Sequence, residues 1–67
     1  MPMIEVKVLA GVFSPNQKAE MIERLTDVMA SIEGEHMRAK TWVTIEEIDN
    51  GSWGVGGVAV TPSMVKT

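Results

Sequence analysis

The chain has 67 residues, of which 45% are hydrophobic, and a formal charge of −3 with a pI near 4.9. This length suffices for one domain, which we expect to span residues 1–67. The acidic charge disfavours nucleic acid and anionic membranes as partners, because their phosphates are bound by clusters of lysine and arginine. With no cysteine and a single histidine, neither disulfides nor a Cys/His metal site is expected to stabilise so small a core, so we expect other subunits to do so.

The first predicted element is a strand over residues Met3–Leu9. Ile4, Val6 and Val8 point to one side, whereas the residues between them point to the other, which is the period of a strand with one apolar face. The pair Ala10-Gly11 ends this alternation. The pattern therefore predicts a short strand that buries one side.

A long helix is predicted next. Ser14 suits the N-cap, Pro15 the first helical position, and Gln17 completes a Ser-x-x-Gln capping box. Gly34 is a suitable C-terminal stop. Between these signals, apolar residues recur at helical spacing and predict one buried face: Met21, Ile22, Leu25, Val28, Met29 and Ile32.

A second strand is predicted over residues 41–48, where Val43 and Ile45 share a face. Strand, long helix and strand form a βαβ unit, so the two strands should be parallel with a right-handed crossover. Residues 49–52 favour a turn and residues 58–60 a short strand. Residues 61–67 are expected to reach onto a neighbouring subunit or to fray.

A two-stranded sheet under one helix leaves its other face bare. By alternation Met3, Leu9, Trp42 and Ile48 lie on that face, and a second sheet is needed to bury them. The predicted fold class is therefore α/β (α+β), a single β-α-β unit with a short C-terminal hairpin that assembles through sheets between subunits.

Membrane and export signals are not predicted in the chain. No apolar run approaches the ~20 residues of a membrane span, and the N-terminus does not combine a charged segment with an apolar one as a signal peptide does. We therefore expect a cytoplasmic protein without a membrane partner.

Three motifs allow competing interpretations. Residues 54–57, Gly-Val-Gly-Gly, resemble a phosphate-binding loop, but the Gly-x-Gly-x-x-Gly spacing and a following helix are missing. This favours a tight hairpin or close backbone contact between subunits. Glu46 and Glu47 are adjacent on a strand and point to opposite faces, so they do not form an acid-base pair. We interpret Glu47 as a solvated edge residue, Glu46 as a subunit contact and His36 as a surface residue.

Pro2 follows the initiator methionine, and removal of Met1 would leave it as a secondary amine at the N-terminus. An α-amino group titrates near ~8, so moderate burial would leave a neutral base. The alternative is that a proline at this position has no chemical role. The only aromatic residues are Trp42, Trp53 and Phe13. The two tryptophans are suited equally to anchor an interface or to form the walls of a small pocket.

These features together resemble one family, and the resemblance covers residues 2 to about 60. It rests on an N-terminal proline, a first strand ending in Leu-x-Gly, a helix start reading Ser-Pro-Asn-Gln-Lys, a second strand reading Val-Thr-Ile-Glu-Glu, and the tail Trp-Gly-Val-Gly-Gly. The chain is similar to short subunits of the 4-oxalocrotonate tautomerase family. The resemblance implies dimers with a four-stranded sheet, a hexamer built as a trimer of dimers, a small-molecule substrate, no cofactor, and Pro2 as the catalytic base.

The chain departs from this family at the arginines that bind the substrate's carboxylates. Val12-Phe13 stands where the first is expected and Trp42 where the second is expected, while Trp53 replaces a family phenylalanine. Arg38 and Lys40 precede Trp42 and are candidates to reach the pocket. The substrate-binding residues predicted beside Pro2 are Trp53, Trp42, Arg38 and Phe13.

The missing arginines shape the expected activity. Without charge-assisted recognition of two carboxylates, we expect weak turnover of dicarboxylates and better turnover of a smaller, less charged or aromatic enol or keto acid. Two alternatives stay open: a proline-dependent hydratase or dehalogenase, and a non-catalytic or accessory subunit of a mixed oligomer.

Overall fold

A computed structural model of the chain describes residues 1–65 and contains the predicted β-α-β unit followed by a hairpin. Two strands flank a long helix, and a 3₁₀ helix lies between that helix and the second strand. The elements in chain order are β1 (Met3–Leu9), α1 (Pro15–Glu33), the 3₁₀ helix (Glu35–Lys40), β2 (Trp42–Ile48), β3 (Gly54–Val55), β4 (Val58–Ala59) and α2 (Pro62–Val65).

The sheet of β1 and β2 is parallel, as predicted. Met3 is the register partner of Trp42, and Leu9 that of Ile48. The ladder extends one residue beyond each strand, because the Trp42 amide donates to the Pro2 carbonyl at 3.0 Å and the Ala10 amide donates to the Ile48 carbonyl at 2.8 Å. The second strand begins one residue later than predicted.

Helix α1 has the predicted caps. The Ser14 hydroxyl accepts from the Gln17 amide at 3.1 Å, and the Gln17 side chain accepts from the Ser14 amide at 2.9 Å. Gly34 ends the helix with φ +108°, and a Cβ there would lie 2.7 Å from the His36 ring. Because this φ favours glycine and the space is occupied, position 34 requires glycine.

We expect Ser14→Ala to lower the free energy of unfolding by about 1 kcal/mol, because the mutation leaves the Gln17 amide without its capping acceptor. The shift of the urea midpoint at fixed protein concentration measures this. Ser14→Asp, which keeps a capping oxygen, serves as the control. Equal midpoints for the alanine variant and the unmodified protein would show that the cap does not stabilise α1.

The 3₁₀ helix was not predicted. Its Arg38 side chain connects it to α1 and to its own first turn, because Arg38 donates to Asp27 of α1 at 2.7 Å and to Glu35 at 2.5 Å. One of these contacts spans eleven positions, so no local sequence pattern reports it. The 3₁₀ helix occupies the stretch between the predicted helix and the predicted second strand, for which no element was predicted.

The glycine-rich residues 54–57 form a hairpin, as predicted, and not a phosphate loop. Strands β3 and β4 are antiparallel. The connecting Gly56 and Gly57 have φ +60° and +85°, which is the backbone of a type I′ turn that glycine adopts without strain. The strand predicted over residues 58–60 ends at Ala59.

The C-terminal part of the chain differs from the prediction. Residues 62–65 form the short helix α2, and Val65 lies in one pocket with residues of β1. This segment therefore folds back onto its own sheet instead of fraying, because Val65 gains apolar contacts there. Residues 66–67 lie outside the described residues, and the expected contact with a neighbouring subunit stays a prediction.

The sheet face opposite α1 is only partly bare, which corrects the sequence-based expectation for Leu9. Leu9 is 5% exposed, whereas Met3 is 55% and Trp42 54% exposed. The difference arises because the hairpin and α2 fold over the carboxyl end of the sheet. The amino end of the face stays uncovered in a single chain.

The molecule is elongated for its length and has a small core. Its radius of gyration is 14.6 Å, against about 11 Å expected for a compact domain of this length. Among residues 1–65, the buried hydrophobic residues are Val8, Leu9 and Ala30. No helix within these residues is long and apolar enough to cross a membrane.

Candidate active site

Pro2 lies at the amino end of the parallel sheet. Its carbonyl accepts the Trp42 amide at 3.0 Å, and its side chain is half-buried. The Met1 side chain before it is 75% exposed. The structure therefore brings Pro2 and Trp42 together and leaves the preceding residue accessible.

An apolar pocket of about 340 Å³ lies at the opposite, carboxyl end of the sheet. This volume is near the lower limit for sites that take small organic ligands. Phe13 enters it from the turn before α1, and Trp53 from the start of the hairpin. The lining residues are Lys7, Val8, Leu9, Phe13, Trp53, Val55, Val60 and Val65.

The two halves of the predicted site are separated in one chain. Strand β1 has seven residues, so at the usual rise its ends are about 20 Å apart. Pro2 and Trp42 lie at one end of this distance, Phe13 and Trp53 at the other. A small acid cannot touch both groups within one subunit.

Arg38, the predicted cationic ligand, is held by two carboxylates. Its guanidinium donates to Asp27 and Glu35, and these bonds keep the pKa of Arg38 above its usual range. The hydrogen bond from Arg38 in turn lowers the pKa of Glu35. Arg38 would have to leave both partners to bind a substrate, so its role in binding stays a prediction.

Glu47 is exposed on a sheet edge, as expected, but it also forms an ion pair that was not predicted. The Lys18 ammonium of α1 donates to its carboxylate at 2.6 Å, and this hydrogen bond lowers the pKa of Glu47 below its ordinary 4.5. The pair joins α1 to β2 at positions 29 residues apart. Glu46 makes no ion pair within residues 1–65 and is exposed.

The Lys18–Glu47 pair predicts an acid-dependent loss of stability. Since the folded pKa of Glu47 is lowered, its stabilising contribution is present above pH 4.5 and is lost as the pH falls through the folded value. Unfolding by urea between pH 7 and pH 3 should therefore show a weaker pH dependence in Glu47→Gln than in the unmodified protein. Glu46→Gln is the matched control, and an equal flattening in both variants would contradict the assignment.

Sequence analysis missed Lys7 as a pocket residue. By alternation Lys7 shares a face with Leu9, and that face was expected to be bare at this end. The alternation of β1 predicts the face on which Lys7 lies. It does not predict a pocket there, because the pocket forms only when the hairpin folds over β1. Of the residues within 1–65 that line the pocket, Lys7 alone is ionisable.

Comparisons with known proteins agree on one family. A family model described as Tautomerase enzyme matches residues 2–63. The probable tautomerase K2 of Dickeya dadantii (strain 3937) is 30% identical over 61 residues, which cover 91% of this chain and 90% of the relative.

Solved structures show the same fold. A 4-oxalocrotonate tautomerase homologue is 31% identical, with a TM-score of 0.78 over 87% of this chain and 89% of the other. The apo form of an unfused 4-OT is 32% identical, with a TM-score of 0.77 over 88% and 93%. A structure from work on the 4-oxalocrotonate tautomerase isozymes of Methylibium petroleiphilum, 23% identical with a TM-score of 0.76 over 98% of this chain and 100% of the other, supports the fold alone.

Proposed function

The chain belongs to the tautomerase family, and we propose from this premise that it is a cytoplasmic, cofactor-independent isomerase that uses the amine of Pro2 as its base. Removal of Met1 exposes this amine. The observation that carries the proposal is the position of Pro2: it is half-buried, and its carbonyl is fixed to β2 by the Trp42 amide. The family match also begins at residue 2.

The proposed reaction moves one proton within the substrate. The neutral proline nitrogen takes a proton from the enol or from the carbon beside a carbonyl, and the resulting ammonium returns it to another position. Protons and electrons therefore balance without an oxidant or a cofactor. A positioned general base of this kind supplies about 10²–10⁴-fold of rate, and aromatic rings around the amine favour its neutral form by excluding water.

We propose that the active site forms between copies of the chain. Pro2 of one copy would meet Trp53 and Phe13 of another, arranged in a homo-oligomer such as a trimer of dimers. Three observations support this: the separation of about 20 Å along β1, the exposure of Met3 and Trp42 at the uncovered end of the sheet, and the elongated shape of the chain.

The proposed substrate is a small acid with one carboxylate and an apolar or aromatic body. Proteins commonly bind dicarboxylates through arginine side chains, each of which can donate two hydrogen bonds to one carboxylate. Here Val12 and Trp42 occupy the positions expected for such arginines, and Arg38 is already paired with carboxylates. An aromatic acid would gain contacts with Trp42 and Trp53. Phenylpyruvate should therefore be a better substrate than 2-hydroxymuconate.

Control of N-terminal processing tests the base. Insertion of a glutamate between Met1 and Pro2 leaves the proline nitrogen in an amide bond, because removal of Met1 would then expose the glutamate. We expect this variant to lose phenylpyruvate tautomerisation while it keeps the native mass of the oligomer. The unmodified protein, shown by intact mass to lack Met1, is the reference. Equal activity of the two proteins would overturn Pro2 as the base.

A second candidate is an accessory subunit of a mixed oligomer. The observation that favours it is the absence of arginine at positions 12 and 42, since an arginine-bearing partner would complete the site. Native mass and turnover of the purified chain distinguish the two proposals. A homo-oligomer that turns over phenylpyruvate contradicts the accessory role, whereas an inactive chain that gains activity with such a partner supports it.

A further inference from the structure

The pocket at the carboxyl end of β1 combines an apolar wall with one basic residue. Its lining consists of Lys7 together with valine, leucine, phenylalanine and tryptophan side chains. Lys7 lies two residues before Leu9 on the same side of β1. An ammonium at the edge of an apolar pocket is suited to hold an anionic head group while the wall takes an apolar body.

The charge of Lys7 is not matched by an ion pair within the described residues. Lys18, Arg24 and Arg38 each pair with a carboxylate, whereas Lys7 and Lys40 have no such partner in residues 1–65. Glu46 is the register partner of Lys7 on β2, yet no salt bridge joins them. The Lys7 ammonium therefore keeps its three donors available for a ligand.

We propose that Lys7 is the specificity-determining residue that binds the carboxylate of a monoanionic substrate whose aromatic or aliphatic body packs on Trp53, Phe13 and Leu9. This inference rests on the proposed function for its statement that the bound acid is the substrate. Lysine supplies a point charge and not a planar fork. The Lys7 ammonium can pair with one carboxylate of the substrate. A second carboxylate would lie against the apolar wall without a partner, which is unfavourable.

A pair of ligands that differ only in charge tests this role. 3-Phenylpropanoate and 3-phenylpropanamide share one apolar body, and isothermal titration calorimetry with the full-length oligomer gives both dissociation constants. We expect the carboxylate to bind about tenfold more tightly, since a hydrogen bond to a charged group contributes at least that factor. Failure of both ligands to bind at millimolar concentration would overturn the proposal.

Matched variants assign the preference to Lys7. Lys7→Met should remove the preference for the carboxylate, whereas Lys7→Arg should keep it. Arg24→Met changes the net charge equally and should keep the preference, because Arg24 lies on the exposed side of α1, pairs with Glu20 and is not among the pocket residues. Glu46→Gln should strengthen carboxylate binding by removal of a neighbouring negative charge. A preference that persists in Lys7→Met would overturn the inference.

The binding assay separates this inference from the proposed function. Binding of the carboxylate does not require proton transfer, so the assay does not depend on the Pro2 amine as a base. A protein that prefers the carboxylate through Lys7 but does not tautomerise any keto acid would contradict the isomerase and leave the Lys7 site standing. Turnover that requires Pro2 but is unchanged in Lys7→Met would support the isomerase and overturn the Lys7 site.

Discussion

Replacement of Pro2 by alanine is expected to lower kcat/KM for phenylpyruvate tautomerisation by about 10²–10⁴-fold, the range typical of a positioned general base. Proline fixes φ through its ring, so its nitrogen points in one direction once the carbonyl is held by the Trp42 amide at 3.0 Å. Alanine supplies a primary amine that rotates and is more readily hydrated. Stopped-flow absorbance of the enol measures the loss directly.

Pro15→Ala is the control for this experiment. Pro15 occupies the first turn of α1, so its replacement changes a proline without changing the N-terminal amine. Intact mass must show that Met1 is absent from each protein, and circular dichroism must show that each is folded. If Pro2→Ala keeps the activity of Pro15→Ala, the reaction does not require the secondary amine of Pro2.

The elements that sequence analysis predicted are those with local causes. The alternation over β1 depends on neighbouring residues, and the capping box at Ser14 joins positions three residues apart. The hairpin follows from the positive φ of Gly56 and Gly57, which few other residues adopt. Each of these signals lies within a few residues of the structure that it predicts, and the strands, the helix and the hairpin are confirmed. The predicted buried face of α1 is only partly buried in one chain, because Ile22 is 42%, Val28 59% and Ile32 77% exposed.

The features that sequence analysis missed have causes far apart in the chain. The 3₁₀ helix is joined to α1 by the hydrogen bond from Arg38 to Asp27, which spans eleven positions. The pocket exists because the hairpin and α2 fold over Leu9, and this contact also gives Lys7 its place in the lining. Local periodicity identifies which face a side chain takes but not what covers that face.

The candidate site follows the same rule. Pro2 was identified from its position and from the resemblance to a family, and both sources concern short stretches of sequence. The location of Pro2 and Trp53 at opposite ends of β1, a strand about 20 Å long, was not predicted, because strand direction and hairpin packing together decide it. The sequence thus indicates the chemistry of the base better than the geometry of its pocket.

Leu9→Ala is expected to lower the free energy of unfolding by about 2–5 kcal/mol, the usual cost of a buried leucine replaced by alanine. Leu9 is 5% exposed and belongs to a core that, among the described residues, includes Val8 and Ala30. A chain of 67 residues typically has a total stability of about 3–10 kcal/mol. The loss is therefore a large part of the total, and the unfolded fraction of the variant should be greatest at low protein concentration, where association contributes least.

Ile32→Ala is the matched control, because Ile32 is 77% exposed and its truncation removes little buried surface. Urea midpoints of both variants at two protein concentrations separate the stability of the chain from that of the oligomer. A large shift for Leu9→Ala with a small one for Ile32→Ala supports closure of the sheet end by the chain's own hairpin. Equal shifts of the two urea midpoints would mean that Leu9 is not enclosed by its own chain. Leu9 would then not line the pocket that contains Lys7 within one subunit.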